Sequence, residues 1–349
     1  MKTQCLLVDR TNPNQAVLAE AAHILTQGGL VAFPTETVYG LGANGLDKAA
    51  VARIFQAKGR PADNPLILHI ASTADVSKLV KNIPANARVL MDTYWPGPLT
   101  LVLERQHHIP DAVTAGLGTV AVRLPDSLIA RELIRLAGVP IAAPSANLSG
   151  RPSPTTADAV LADMAGKIDA IVDGGPCAIG VESTVVDCTT PVPTLLRPGG
   201  ITLEMLEATL GEVELDQSLV EAQAIPRSPG MKYVHYAPVS PMTLIEGEEQ
   251  AAVALVIDQI QAALAAGKKV GAAVSAETAA QLPDNVRIAV YGRRGNANEA
   301  AANLYEVLRS FDHAAVDHIY AEGVTEDGLG LAVMNRLRKA AGYRIIYAK

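Results

Sequence analysis

Gly40-Leu41-Gly42-Ala43-Asn44-Gly45, preceded by Pro34-Thr35-Glu36-Thr37-Val38-Tyr39, is the stretch on which the fold turns. The six residues match G-x-G-x-x-G, the phosphate-binding turn of dinucleotide-binding sheets. That turn follows its strand directly, and an acidic residue about 20 positions on closes a second strand to hold the ribose. Here the apolar strand Leu30–Phe33 stops at Pro34, well before Gly40. The acidic residue in range, Asp63, stands in a loop between Pro61 and Pro65. The glycines therefore read as a tight loop over Thr35–Leu46, and a nicotinamide-dependent oxidoreductase is disfavoured. No G-x-x-x-x-G-K-[ST] occurs, so a nucleotide would have to be held without a P-loop.

Outward from this loop the periodicity is mixed. Gln15–Gln27 carries Val17, Leu18, Ala21, Ile24 and Leu25 at helical spacing and ends at Gly28-Gly29. Asp47 caps a second helix running to Lys58, with Gly59 past its end. Leu66–Ile70, Leu99–Glu104 and Thr119–Leu124 alternate as strands. Helix Ser127–Ala137, strand Pro140–Ala143, strand Ala170–Asp173 and a strand over Val181–Asp187 follow. Helices and strands in this mixture predict one α/β domain over residues 1–208. Residues 209–240 turn polar and then proline-rich, which predicts an interdomain linker. From 241 to 349 the pattern becomes regular: strand, helix Gln250–Ala266, strands Val270–Val274 and Arg287–Tyr291, helix Asn298–Ser310, strand His318–Ala321 and a last helix from about Leu331. That alternation predicts a small parallel-sheet domain.

The totals bound the function. The chain of 349 residues is 49% hydrophobic with mean hydropathy +0.20, enough to build packed cores in two domains. A net charge of −7 argues against a broadly basic nucleic-acid binder, and 4% aromatic residues against a base-stacking surface. Cys5, Cys177 and Cys188 form no C-x-x-C pair, so neither a zinc site nor a disulfide framework is expected. The N-terminus lacks a signal-peptide h-region. The most apolar stretch, Ala251–Leu264, is broken by Asp258, Gln259 and Gln261. A cytoplasmic protein without a membrane partner is expected.

Several polar groupings carry chemistry. Lys58-Gly59-Arg60-Pro61, followed by Asn64-Pro65, places two cations on a proline-stiffened loop suited to phosphate, although a plain cationic helix end reads the same way. In Thr119–Arg123, Val120 and Val122 share one face, and Thr119, Ala121 and Arg123 share the other. An arginine among small residues there points to an anion or to a solvated face. Pro144-Ser145-Ala146-Asn147 follows a strand end, where α/β sheets bind ligands, but Ser and Asn also favour turns. Glu182-Ser183-Thr184 and Arg197-Pro198-Gly199 add hydroxyls and a cation. Ser228-Pro229-Gly230-Met231-Lys232-Tyr233-Val234-His235-Tyr236-Ala237-Pro238 is rich in functional groups for a spacer, and reads as a lid or as a packed crossing.

Taken together, Pro34–Gly42, Lys58-x-Arg60-Pro61-x-x-Asn64-Pro65-Leu66 and Pro144-Ser145-x-Asn147-x-Ser149-Gly150 resemble the YrdC-like threonylcarbamoyl-AMP synthases. The 228–238 motif and the extra α/β region resemble their long, two-domain form. The resemblance implies a YrdC-like twisted open-sheet catalytic domain, a linker crossing the active site, and a smaller Rossmann-like C-terminal domain. It implies a nucleotidyltransferase that joins L-threonine, bicarbonate and ATP into threonylcarbamoyl-AMP, with pyrophosphate released and Mg²⁺ carried in by ATP. The product would pass to a separate tRNA threonylcarbamoyl transferase, so tight tRNA binding is not expected. By position in the family pattern, Thr37, His69, Arg123, Ala143 and Ser183 would form the threonine pocket. Arg60, Asn64, Thr119, Ser145, Ser153, Arg197 and Tyr236 would form the nucleotide side, with Tyr233 the alternative linker tyrosine. Lys58 and Arg60 would act on the carbamate and phosphates, and no protein side chain would ligate the metal. The rivals are a carbamoyl-transfer enzyme of hydrogenase maturation, whose paired-cysteine motifs are lacking here, and an RNA-binding module with a related domain.

Overall fold

Asn14, Asp47 and Ser127 each accept hydrogen bonds from backbone N–H groups two or three residues on, fixing the starts of helices Gln15–Thr26, Lys48–Lys58 and Leu128–Ala137. Each such cap stabilises its helix by ~1 kcal/mol. The Ser127 hydroxyl also donates to the Pro34 carbonyl (3.0 Å), tying its helix to a strand end. The computed structural model describes residues 2–220, 235–312 and 314–349. They fall into two units: residues 2–149 with 153–220, and residues 150–152 with 235–312 and 314–349.

The first unit is built on one mixed sheet. Its strands are β1 (Gln4–Leu7), β2 (Val31–Pro34), β3 (Tyr39–Asn44), β4 (Ile67–His69), β5 (Leu99–Glu104), β6 (Thr119–Arg123), β7 (Ile141–Ala142), β8 (Ala170–Asp173), β9 (Thr184–Asp187), β10 (Thr194–Arg197) and β11 (Glu214–Leu215). They pair in the order β1-β8-β2-β3-β7-β4-β6-β5-β9-β10-β11.

Strand alternation separates the two faces of this sheet. Leu68, Leu101, Leu103, Val120, Val122 and Leu195 point into the main core, against Val51, Ile54 and Phe55 of one helix and Leu90 of helix Ala85–Tyr94. On the opposite face, helices Gln15–Thr26 and Leu128–Ala137 cover Val31, Phe33, Ile141 and Val172. Over β4, β6, β5, β9 and β10 that same face carries a small apolar patch of Ile67, Val102, Ala121, Val185 and Leu196, to which no helix contributes among the described residues. By alternation His69, Thr100 and Arg123 lie on this half-face.

Two expectations are corrected. The glycine run does not form a loop: Gly40 and Gly42 lie inside β3, antiparallel to β2 and to β7. Glycine is needed because other groups approach closely. A Cβ on Gly42 would stand 2.8 Å from the Phe33 ring and 2.9 Å from Ile141. The expected linker also begins later than residue 209. Helix Leu203–Leu210 ends there, β11 adds parallel to β10, and Asp216 N–H donates to the Leu195 carbonyl (3.0 Å). Residues 221–234, including most of the 228–238 motif, lie outside the described residues.

The second unit is a parallel sheet of β12 (Met242–Glu246), β13 (Val270–Ser275), β14 (Arg287–Gly292), β15 (His318–Glu322) and β16 (Ile345–Tyr347), in the order β14-β13-β15-β12-β16. The connections leaving β12 and β13 run toward one edge, and those leaving β14 and β15 toward the other. Right-handed crossovers then put helices Glu249–Ala265 and Ala276–Ala279 on one face, and Ala297–Ser310 and Gly330–Ala340 on the opposite one. Neighbouring strands whose connections leave to opposite faces open a crevice at their carboxyl ends.

Candidate functional site

The site grows from the half-face that no helix covers. Parallel pairing sets His69 of β4 beside Arg123 of β6, and antiparallel pairing sets Thr100 of β5 on the other side of Arg123. Arg123 is 4% exposed. Its Nη1 donates to Thr37 Oγ1 (3.0 Å), its Nε to the Gly97 carbonyl (3.3 Å), and its Nη2 stands 2.7 Å from Glu36 Oε1.

Thr37 is delivered by the turn between β2 and β3. Thr35 Oγ1 lies 2.7 Å from the Val38 carbonyl and 2.8 Å from Thr37 Oγ1, and it accepts from the Thr37 and Val38 N–H groups. When Thr35 gives its one proton to Val38, Thr37 donates to Thr35 and accepts from Arg123. The turn is held from outside by Ile179 N–H on the Glu36 carbonyl and Gly180 N–H on the Thr37 carbonyl. The half-face thus meets one buried cation, one buried carboxylate and an oriented hydroxyl.

His69 lies edge-on to Phe33, ring centres 6.3 Å apart. Burial, reinforced by the charge of Arg123, pulls its pKa down to about 3, so the imidazole is neutral near pH 7. Its Nδ1 has no hydrogen-bond partner among the described residues. Ser183, just before β9, joins this group through Thr100 (Oγ–Oγ1 2.8 Å). Arg197 at the end of β10 donates to the Ser183 carbonyl through Nε and Nη2 (3.1 and 2.9 Å) and to its hydroxyl (3.2 Å). Ala143 follows β7, its N–H donating to the Ile67 carbonyl (3.0 Å), and its methyl lies 3.3 Å from where Gly40 would carry a Cβ.

A second group surrounds the end of helix Lys48–Lys58. Lys58 is 3% exposed. Its Nζ donates to the carbonyls of Ser145 and Asn147 and reaches the Asn147 side-chain oxygen (3.4 Å). Ser145 Oγ donates to Asn147 Oδ1, and Ser149 N–H donates back to the Lys58 carbonyl (2.9 Å). Arg60 Nη2 donates to the Asn64 and Pro65 carbonyls (3.2 and 3.3 Å), folding the loop on itself. The Asn64 side chain is buried, and neither of its amide atoms has a hydrogen-bond partner among the described residues. That leaves a buried donor and a buried acceptor unmet by the protein.

The structure therefore brings Thr37, His69, Arg123, Ser183 and Arg197 into one connected set. Arg197, expected on the nucleotide side, is hydrogen-bonded to the threonine-side residue Ser183. Ser153 donates to Glu182, one residue before Ser183. Thr119 sits at the far end of β6, four residues and about 13 Å from Arg123 at the usual strand rise. Tyr236 belongs to the second unit, where it is 5% exposed and stacks on Tyr305 (centres 5.4 Å apart) with the Arg336 guanidinium 5.9 Å from its ring centre. Tyr233 lies outside the described residues. The sequence assigns no site role to Glu36, Thr100 or Glu182. Alternation along β5 would have placed Thr100 opposite the leucine face.

Among the described residues no group of three or more His, Cys, Asp or Glu side chains could hold a metal ion, and no helix is long and apolar enough to cross a membrane.

Comparison with known proteins bears on both units. Residues 23–199 match the family described as telomere recombination, and residues 201–342 match the threonylcarbamoyl-AMP synthase C-terminal domain. The chain is 49% identical to the threonylcarbamoyl-AMP synthase of Bacillus subtilis, over 99% of this chain and 100% of that one. It is 51% identical to that of Pyrococcus abyssi, over 93% and 94%. The crystal structure of P. abyssi Sua5 complexed with L-threonine superposes with a TM-score of 0.94 at 49% identity, covering 99% of this chain and 100% of the other.

Proposed function

The chain belongs to the threonylcarbamoyl-AMP synthase family, and from that premise we propose that it makes threonylcarbamoyl-AMP from L-threonine, bicarbonate and MgATP. The observation that carries this reading is the buried Arg123, hydrogen-bonded to Thr37 and set beside a neutral histidine.

A guanidinium at the end of a strand, in a site of low dielectric, binds a carboxylate through paired hydrogen bonds. Arg123 would take the threonine carboxylate and share its charge between that group and Glu36. The neutral His69 would accept from the substrate hydroxyl. An amino acid lacking that hydroxyl leaves the imidazole unpaired, which costs far more than a missing methyl does. Serine is therefore the competitor hardest to exclude.

Threonine's amine adds to carbon dioxide and gives up a proton, or adds to bicarbonate with loss of water, and either route gives a carbamate. A carbamate oxygen attacks the α-phosphorus of ATP, the bond to the β-phosphate bridging oxygen breaks, and pyrophosphate leaves. The nucleophile is already anionic, so the protein's work is positioning and charge neutralisation. Arg60 would meet the phosphates. Lys58, whose ammonium is clasped by the carbonyls of Ser145 and Asn147, would fix the loop that carries both residues. Asn64, Ser145 and Ser153 would face the nucleotide. Mg²⁺ would arrive with ATP, held by phosphate oxygens, and the product would pass to a separate tRNA-modifying transferase.

The test is pyrophosphate release from ATP by the pure protein with L-threonine and bicarbonate. Release that needs both, with the mass of threonylcarbamoyl-adenylate in the mixture, supports the reading. Folded protein that binds ATP yet releases no pyrophosphate in response to threonine would sink it.

A further inference from the structure

The second unit has a site of its own at the carboxyl edge of its parallel sheet. A cavity of about 290 Å³ opens there, lined by Glu246, Ser275, Tyr291, Arg294, Glu322 and Met334 among others. These residues end or follow the four strands β12, β13, β14 and β15, whose helices leave to alternating faces. That is the crevice in which open α/β sheets bind small molecules.

The cavity has two chemically different ends. Its inner end offers acceptors. Glu322 is 4% exposed. Its carboxylate accepts from Ser275 N–H and Oγ (both 2.9 Å) and from Arg294 Nη2 (3.3 Å). Its carbonyl accepts from the Tyr291 hydroxyl (2.8 Å). Glu246 beside it is paired with Arg338 (2.7 Å).

The mouth carries donors beside carboxylates: Arg293 N–H donates to Glu299 (2.8 Å) and Arg294 N–H to Glu277 (2.9 Å), while the first helical amides stay open. β14 runs through Gly292-Arg293-Arg294-Gly295-Asn296 into helix Ala297–Ser310, and Gly295 takes φ +71°, a left-handed turn that glycine adopts without cost. The Asn296 side chain accepts from Glu299 N–H (3.2 Å), so the helix supplies no acceptor for the N–H groups of Ala297 and Asn298. Arg293 is 75% exposed, and its guanidinium makes one long ion pair, to Glu299 (3.4 Å). Helix Gly330–Ala340 begins at the same mouth with no side-chain cap, and Asp327 and Leu329 line the groove there together with Arg293 and Ala297.

The geometry points to a binding site for a small phosphate monoester that carries hydroxyl groups. The phosphate would sit at the mouth, against Arg293 and the first-turn amides, and the hydroxyls would donate to the carboxylates within. Ribose 5-phosphate is a compact molecule with both ends.

The experiment is titration calorimetry of the full-length protein with ribose 5-phosphate, ribose and inorganic phosphate. Ala297→Asp is the decisive variant. It sets a carboxylate where the phosphate would bind, yet an acidic residue in a first turn stabilises a helix, so lost binding cannot be blamed on unfolding. We expect ribose 5-phosphate to bind at least about tenfold more tightly than ribose or phosphate alone, and Ala297→Asp to weaken it by about tenfold or more. Arg60→Ala, in the first unit, should leave that affinity unchanged. No binding at ~10 mM ester, equal affinity in Ala297→Asp, or loss in Arg60→Ala would overturn the assignment. Equal affinity for inorganic phosphate would also overturn it, reducing the mouth to an adventitious anion site.

Discussion

The two sheets place their polar residues differently. In the first unit Arg123, His69 and Thr100 stand on the face of the sheet, in register, where the covering helices stop short. In the second, Glu246, Ser275 and Glu322 stand at the carboxyl edge of a sheet flanked by helices on both faces. A face site depends on what is left uncovered, and its residues come from the middle and ends of neighbouring strands. An edge site depends on connectivity, and its residues come from strand ends and the loops after them. The face site asks for side chains buried at depth, so its charges must be paired with one another. The edge site can leave one arginine in solvent.

The sharpest way to break this contrast is Arg123→Ala. It strips the face site of its anion anchor and leaves Glu36 buried without its partner. Threonine-dependent pyrophosphate release should fall by on the order of 10³-fold, about 4 kcal/mol. The double change Arg123→Met with Glu36→Gln should recover folding in a urea titration and not activity; recovery of both would show that the pair is only structural. Next comes the edge site. Glu322→Ala removes the acceptor for Ser275 and Arg294 and should destabilise the second unit by about 3 kcal/mol. Hydrogen exchange would read this as faster exchange in β13 and β15 with β5 and β6 unchanged, and equal loss in both units would erase the distinction between them.

Gly42→Ala probes the packing behind the face site. Its new methyl would press on Phe33 and Ile141, and a cost of about 1–3 kcal/mol by chemical denaturation is expected. The mildest test concerns His69. Folding lowers its pKa from 6.5 to about 3, so the unfolded chain binds the extra proton as pH falls. Its contribution is complete above the unfolded value and drains away on acidification, with a slope of up to about 1.4 kcal/mol per pH unit. His69→Gln should flatten that slope between pH 6 and 4, read from urea midpoints; an unchanged slope would mean that the histidine does not carry the acid sensitivity.

Much of the face site was legible because strands announce their faces. Thr119, Ala121 and Arg123 alternate with the valines of β6, and the caps at Asp47 and Ser127 mark helix starts in plain sequence. The glycine run was misread because glycine carries no side chain to alternate, and the strand's partners in β7 lie far along the chain. Glu36 was passed over because an acidic residue between two threonines reads as a turn. Only the distant Arg123 gives it a role. Short elements such as β10 and β11 lack the length for a pattern, and the Tyr94 hydroxyl contacts to Met205 and Thr209 depend on tertiary packing. The edge cavity left no local trace at all: Ser275 and Glu322 are 47 positions apart and meet only through strand order.

Lys58 shows what such distant ties mean for inheritance. One residue holds the loop at Ser145 and Asn147 with its ammonium, and with its own carbonyl it holds Ser149. The two loops, encoded far apart, are thereby a single unit of selection. A change at residue 58 is felt by every residue of the later loop at once, and a change in the later loop alters what residue 58 is for. Recombination between related genes that separates the two segments should yield hybrids that fail more often than their sequence distance implies. A library of such crossovers, scored for activity, would show this as a trough in surviving break points between residues 58 and 145.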